Sequence, residues 1–169
     1  GLNCATMAAE GFKGPSQAFE GQWGYLHAYA SGGDTKKALD GLGNKFETLN
    51  LGVKPYPSCR YSHAAIDGII DLKKELDFSI DDLDDIDIGL SETALNIIGY
   101  PLEDKQNPKS IVDGQFSMPF CAAVAAKSGG LKWDDYKDHL NNSDTLELCN
   151  KIKVNPDKDA EKCCPESVS

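Results

Sequence analysis

The stretch SHAAIDGIIDLKKEL at residues 62–76, followed by DDIDIGL at 84–90, decides the fold class. In the first part Ala65, Ile66, Ile69, Ile70, Leu72 and Leu76 recur at the 3.6-residue period, which predicts an amphipathic helix. In the second, apolar and acidic residues alternate, which predicts a half-buried strand after an acidic turn. Downstream, Ser91 can cap a short helix that reaches Ile98 and stops at Gly99-Tyr100-Pro101. Residues 113–128 read as a second strong helix. Phe116, Phe120, Val124 and the alanines make it apolar on most sides, and therefore buried, with Pro119 marking a kink or a start. Residues 133–140 and 144–150 read as short helices and 151–154 as a strand, while the polar tail from Asn155 shows no periodicity. Helices and strands mix without regular βαβ alternation, which predicts a single small α+β domain, a few strands packed by helices.

Upstream of the decisive stretch the texture changes. Residues 2–9 read as the last turns of a helix. GFKGPSQAFEGQWG at 11–24 is rich in glycine and carries Phe12, Phe19 and Trp23, so it reads as an ordered loop that buries its aromatics, with a short helix capped by Ser16. Residues 34–42 read as a short helix capped by Asp34 and closed by Gly43. Residues 46–51 read as a strand, and Pro55 and Pro57 then force an extended segment.

Composition limits what such a domain can do. The chain has 169 residues and a formal net charge of −10, the balance of 17 basic against 27 acidic side chains. A chain of that charge lacks the basic face that neutralises phosphates, which excludes a nucleic-acid binder. No stretch approaches the roughly 20 apolar residues of a membrane-spanning helix, and residues 1–10 carry no basic-then-apolar leader. The six cysteines are dispersed without a C-x-x-C pair, and Cys163-Cys164 is a poor metal clip, so no zinc site is expected. Dispersed cysteines in a chain large enough to bury its own core fit a reducing interior, that is, an intracellular, cytoplasmic protein, or a mitochondrial one in a eukaryote. The acidic run at 81–87 lacks the central glycine and closing glutamate of a calcium loop and reads as a solvated turn. No phosphate-binding or dinucleotide fingerprint is present. His27 and His139 lack ligand-spaced partners and read as structural or exposed.

The densest chemistry lies in KPYPSCRYSH at 54–63. Two prolines hold a rigid approach, Lys54 and Arg60 bring two cations into an acidic chain, and His63 stands where a helix begins. Helix N-termini attract anions through their free N–H groups, so the loop reads as a carboxylate or phosphate site. The plainer reading makes Lys54 and Arg60 surface charges and pairs His63 with Asp67 across one helical turn. Cys59 reads either as a nucleophile activated by His63 or, with more weight, as a packing residue.

Three segments, GFKGPSQAFEGQWGY (11–25), VKPYPSCRYSHAAID (53–67) and DGQFSMPFCAAVA (113–125), resemble in order and spacing the 2-methylcitrate dehydratase / cis-aconitate decarboxylase family, MmgE/PrpD. The third is similar to the family's DA-x-FS-x-x-F stretch, with Gly114 where alanine is usual. The resemblance covers nearly the whole chain. It implies a two-domain parent with a large all-helical domain and a smaller α+β lid. Residues 1–10 would be the end of a helix from the helical domain absent here, 11–165 the lid and 166–169 a tail. It also implies cofactor-independent lyase or isomerase chemistry on small di- or tricarboxylates, beginning with proton abstraction beside a carboxylate, in a parent that is a homodimer. Neither a metal nor an organic cofactor is implied.

By the same resemblance Lys54 corresponds to the lid lysine that faces the site and His63 to the motif histidine at the helix start. These two would be catalytic, and Lys54, Cys59, Arg60 and His63 would bind substrate. Two positions depart from the decarboxylase pattern, Cys59 where those enzymes have histidine and Phe120 where they have tyrosine, which lowers the decarboxylase reading specifically. The family's principal aspartate and histidine belong to the helical domain, so the chain alone is expected to be inactive. The alternative is a non-catalytic anion-binding or protein-interaction module that keeps the lid fold.

Overall fold

The computed structural model describes residues 1–30 and 33–163; Cys164 and the tail at 166–169 lie outside them. The chain divides into two compact units, Gly1–Gly52 and Val53–Ser169.

In the first unit, helix α1 (Leu2–Ala9) follows the sequence expectation, and neither it nor α2 (Tyr25–Ala30) buries a residue. Between them the chain turns back on itself through residues 16–24 instead of forming the helix expected from Ser16. Tyr25 N–H donates to the Ala18 carbonyl at 2.9 Å, and Leu26 N–H to that of Phe19 at 3.0 Å. A Cβ at Gly24 would stand 2.7 Å from the Phe19 carbonyl oxygen, so only glycine fits this return. The turn is held by backbone bonds, and its aromatics point outward: Trp23 is 92% exposed and Phe12 and Phe19 are exposed too, contrary to the expectation of a loop packed on its rings. Helix α3 (Thr35–Ala38) is shorter than expected, although Asp34 caps it by accepting from Lys36 N–H at 2.9 Å. The strand expected at 46–51 is a 3-10 turn, Glu47–Asn50. The Glu47 carboxylate accepts from Asn50 Nδ2 and pairs with Lys45, closing the segment locally, and no described strand lies beside it.

The second unit is a small α+β domain. A 3-10 turn (Arg60–Ser62) runs into α4 (His63–Leu76), which stops at Asp77 in the left-handed conformation. After a capping box at Ser79 and Asp82 comes strand β1 (Ile86–Leu90). Then follow α5 (Glu92–Ala94), capped by Ser91 and continued by a π turn (Leu95–Gly99), α6 (Leu102–Gln106), α7 (Ile111–Gln115), α8 (Met118–Ser128), α9 (Asp135–His139) and α10 (Ser143–Asn150). Strand β2 (Ile152–Pro156) pairs parallel with β1, Ile86 opposite Ile152 through Leu90 opposite Pro156. The chain then enters α11 (Lys158–Cys163), where no element was expected. Asp157 nucleates that helix by accepting from the N–H groups of Asp159 and Ala160.

The core centres on α8, in which every residue from Met118 to Ala126 is buried. It packs against α4, α10 and β2. The expected single helix at 113–128 is two, because Ser117 leaves the helical conformation to cap α8. Its hydroxyl accepts from Phe120 N–H at 3.0 Å and donates to the Lys105 carbonyl, and Pro119 sits in the first turn, where its missing donor costs nothing. Gly114 also has a steric reason. A Cβ there would lie 3.1 Å from the Tyr136 ring and 3.2 Å from that of Phe120, two rings stacked with centroids 5.8 Å apart. Along α4 only the first half of the apolar stripe is used: Ile66 and Ile69 are buried, while Leu72 is 51% exposed.

Replacing Ile66 by alanine should therefore cost about 3 kcal/mol in urea unfolding, the usual loss for a fully buried isoleucine, whereas Leu72→Ala should cost under about 1 kcal/mol. Equal losses would show that the two halves of α4 contribute alike to the core.

Candidate functional site

The loop at 54–63 is fastened by one carbonyl. Pro57 O accepts from the Tyr136 hydroxyl at 2.9 Å and from Gln115 Nε2 at 3.0 Å. Gln115 also uses its own carbonyl, which accepts from Cys59 N–H at 2.9 Å. Two of the three segments singled out in the sequence, 53–67 and 113–125, are thus bolted together by the last residue of α7. Inside the loop, the Ser62 hydroxyl donates to the Cys59 carbonyl at 2.8 Å, which leaves Ser58 Oγ as the donor in the 2.8 Å contact between the two buried serines. Cys121 of α8 lies beneath them, and burial pushes its thiol up to about 12, so it stays a thiol.

The expected site residues lie on this frame as follows. Lys54 curls back and its Nζ donates to the Ser58 carbonyl at 3.1 Å. Arg60 is exposed, and its Nη1 donates to His63 Nδ1 at 3.2 Å. His63 is only 3% exposed, and its Nε2 has no hydrogen-bond partner. Cys59 is half-buried with a free thiol, and neither ring nitrogen of His63 bonds to it. Geometry therefore gives the nucleophile reading no base. The expected His63–Asp67 pairing is replaced. Asp67 Oδ1 accepts from the Tyr56 hydroxyl at 2.5 Å, and the Tyr56 ring stands edge-on to the imidazole, centroids 5.4 Å apart at 83°. That carboxylate lifts the Tyr56 hydroxyl to about 12.

Burial drives the His63 pKa below its ordinary value, and the nearby charges of Arg60 and Lys54 push the same way. The Ser58 carbonyl and the Asp67 carboxylate oppose the shift without cancelling it. Among the described residues no carboxylate lies within ion-pair distance of Lys54 or Arg60; the pairs that form are Lys45–Glu47, Lys74–Asp71, Lys153–Asp85 and Lys162–Asp159.

The remaining candidates fall elsewhere. His139 is half-buried between Ser128 Oγ (3.1 Å to Nε2) and Thr145 Oγ1 (2.8 Å to Nδ1), a structural tie, while His27 is exposed. In the acidic run at 81–87, Asp82 closes a capping box, and Asp85 and Asp87 pair with Lys153 and Asn155 across the strands. Among the described residues no cluster of histidine, cysteine, aspartate or glutamate could hold a metal ion, and no helix is long and apolar enough to cross a membrane. An open groove of about 550 Å³ lined by Glu103, Lys105, Lys109, Asp113 and Phe116 shares no residue with the loop.

Sequence reasoning missed Tyr56, Gln115 and Tyr136 as parts of this site. Tyr56 stood inside the quoted loop and Gln115 inside the third segment, but Tyr136 acts across 79 positions and nothing local announces it.

A buttressed cationic loop thus stands at the start of the amphipathic helix α4, on a small α+β domain. Residues 56–169 match the MmgE/PrpD C-terminal domain, and the chain belongs to the MmgE/PrpD family of dehydratase-like enzymes. No curated protein matches the sequence.

Two outcomes follow from this geometry. Tyr136→Phe removes one of the two donors to Pro57 and should cost about 1 kcal/mol of stability, since Gln115 still satisfies the carbonyl. The folded-state pKa values of His63 and His139 both lie below the unfolded value. Their contribution is therefore complete above about pH 6.5 and is lost as pH falls through the depressed values. Urea midpoints should drop between pH 7.5 and pH 5, and less so in His139→Gln; an unchanged midpoint would mean that both rings protonate as freely folded as unfolded.

Proposed function

We propose that this domain is the substrate-closing lid of a cofactor-independent lyase or isomerase acting on small di- or tricarboxylates, in the manner of a 2-methylcitrate dehydratase. The observation that carries the reading is the placement of two cations, Lys54 and Arg60, on one loop fastened to the core through Pro57 and Cys59, in a chain with ten more acidic than basic side chains. Neither forms an ion pair with a carboxylate among the described residues. Lys54 and Arg60 are held on a rigid loop that can present them to an anion instead.

Dehydration of a hydroxy-tricarboxylate moves a proton from the carbon beside a carboxylate to a base. The C–H electrons become the new double bond, and hydroxide departs with a proton as water. Negative charge builds on the neighbouring carboxylate as the C–H bond breaks, and cations placed against it lower that barrier. In this reading Lys54 and Arg60 supply the cations, His63 supports them from the helix start, Cys59 lines the same loop, and the family's helical domain supplies the principal base. The burial of His63 and the bond from Lys54 to its own loop favour holding the anion over moving the proton. They also keep a second reading in play, an anion-binding module without catalysis.

An intact protein that joins this domain to the family's helical domain separates the two. Lys54→Ala should lower kcat on its tricarboxylate by about 100-fold, the usual loss of one charge-stabilising group, with folding intact by circular dichroism. Unchanged turnover would remove Lys54 from the site. Equal competition by inorganic phosphate and tricarboxylate for the loop would favour a general anion-binding module.

A further inference from the structure

Resting on the reading of this loop as a carboxylate site, we propose that His63 is a positioning residue for Arg60 and not a proton-transfer group: the neutral imidazole, protonated on Nε2, offers Nδ1 to the guanidinium and fixes the direction in which Arg60 faces a ligand.

A guanidinium has donors only, so the 3.2 Å contact between Arg60 Nη1 and His63 Nδ1 makes Nδ1 the acceptor and places the ring proton on Nε2. That Nε2–H is enclosed in a residue 3% exposed and makes no hydrogen bond, although the Ser58 carbonyl lies close enough to act on the ring. A group that moves a proton must touch the reacting atom, and this one touches neither solvent nor an open surface. An unpaired buried donor asks for a reason. Here the reason lies on the other side of the ring, since Nδ1 can accept from Arg60 only while the ring's single proton sits on Nε2.

The surroundings hold the ring in that state. The Tyr56 edge meets its face, and the Tyr56 hydroxyl is itself fixed by Asp67. The charged groups around the ring are Lys54 and Arg60 on the loop and Asp67 on α4; the two cations and burial together outweigh Asp67 and the Ser58 carbonyl. On α8, beside Ser58 and Ser62, Cys121 stays uncharged. Among the described residues, His63 Nδ1 is the hydrogen-bond acceptor that Arg60 has.

The test uses the full chain and tricarballylate as the probe. In a long-range proton–nitrogen spectrum of the unmodified chain above about pH 7, where a depressed His63 is neutral, Nδ1 should carry no proton and Nε2 should carry one. Arg60→Gln should erode that preference. His63→Asn keeps an acceptor near the Nδ1 position and should bind tricarballylate within about 3-fold of the parent, whereas His63→Leu and Arg60→Ala should each weaken it about 10-fold and the double variant no further. A protonated Nδ1 in the unmodified chain overturns the proposal without any variant having to fold, and so does a His63→Asn affinity as poor as that of His63→Leu. Failure of the parent chain to bind tricarballylate would instead overturn the carboxylate reading, and the tautomer measurement would still decide whether His63 holds Arg60.

Discussion

Everything in the second unit depends on the enclosure of α8. A helix buried from Met118 to Ala126 has no polar face to give to water, so its neighbours must wall it on all sides. Ile66 and Ile69 of α4, Leu148 and Cys149 of α10, and Ile152 and Val154 of β2 do so. Enclosure also fixes the helix end to end. Lys73 of α4 donates to the Ala126 carbonyl at its C-terminus, and Ser117 caps its N-terminus. Gln115 stands two residues before that cap, so seating α8 seats Gln115, and Gln115 grips the loop through both its side chain and its backbone. The geometry of Lys54–His63 is therefore inherited from the core, even though Lys54 and Arg60 themselves are exposed.

Much of this was legible in the sequence where periodicity and burial agree. The first half of α4, the alternation of β1 and the all-round apolar character of α8 each state their surroundings directly. The errors fall where local chemistry outweighs pattern. Ser117-Met118-Pro119 is a cap and a first helical turn, yet apolar continuity across it suggested one helix. Residues 158–163 have no apolar face; the Asp157 cap starts their helix, and Glu161 ties it to Glu92 N–H. In the first unit, aromatic content suggested a packed loop, while the chain turns on backbone bonds and the room made by Gly21 and Gly24.

The candidate site was half legible for a related reason. Two cations between prolines in an acidic chain can be seen in a string of letters, and so can a histidine at a helix start. Which nitrogen of that histidine faces which neighbour cannot, because the answer is set by the depth of the ring and by a tyrosine that claims the expected aspartate. Nor can the string show Tyr136 reaching Pro57, since a buried hydroxyl seeking an acceptor leaves no periodic trace.

The claim of Tyr56 on Asp67 bears on the electrostatics of the whole loop. At physiological ionic strength charges are screened over about 8 Å, so a polycarboxylate near the loop answers to the charges beside it more than to the net −10 of the chain. Asp67 is the carboxylate whose charge acts on His63 alongside those of Arg60 and Lys54. Its hydrogen bond from Tyr56 gives it a donor of its own and turns Oδ1 toward the ring. Asp67 keeps its charge under that bond, and Lys54 and Arg60 form no ion pair with it. Neutral His63 completes the arrangement, accepting from Arg60 without cancelling its charge, as a carboxylate in the same position would do.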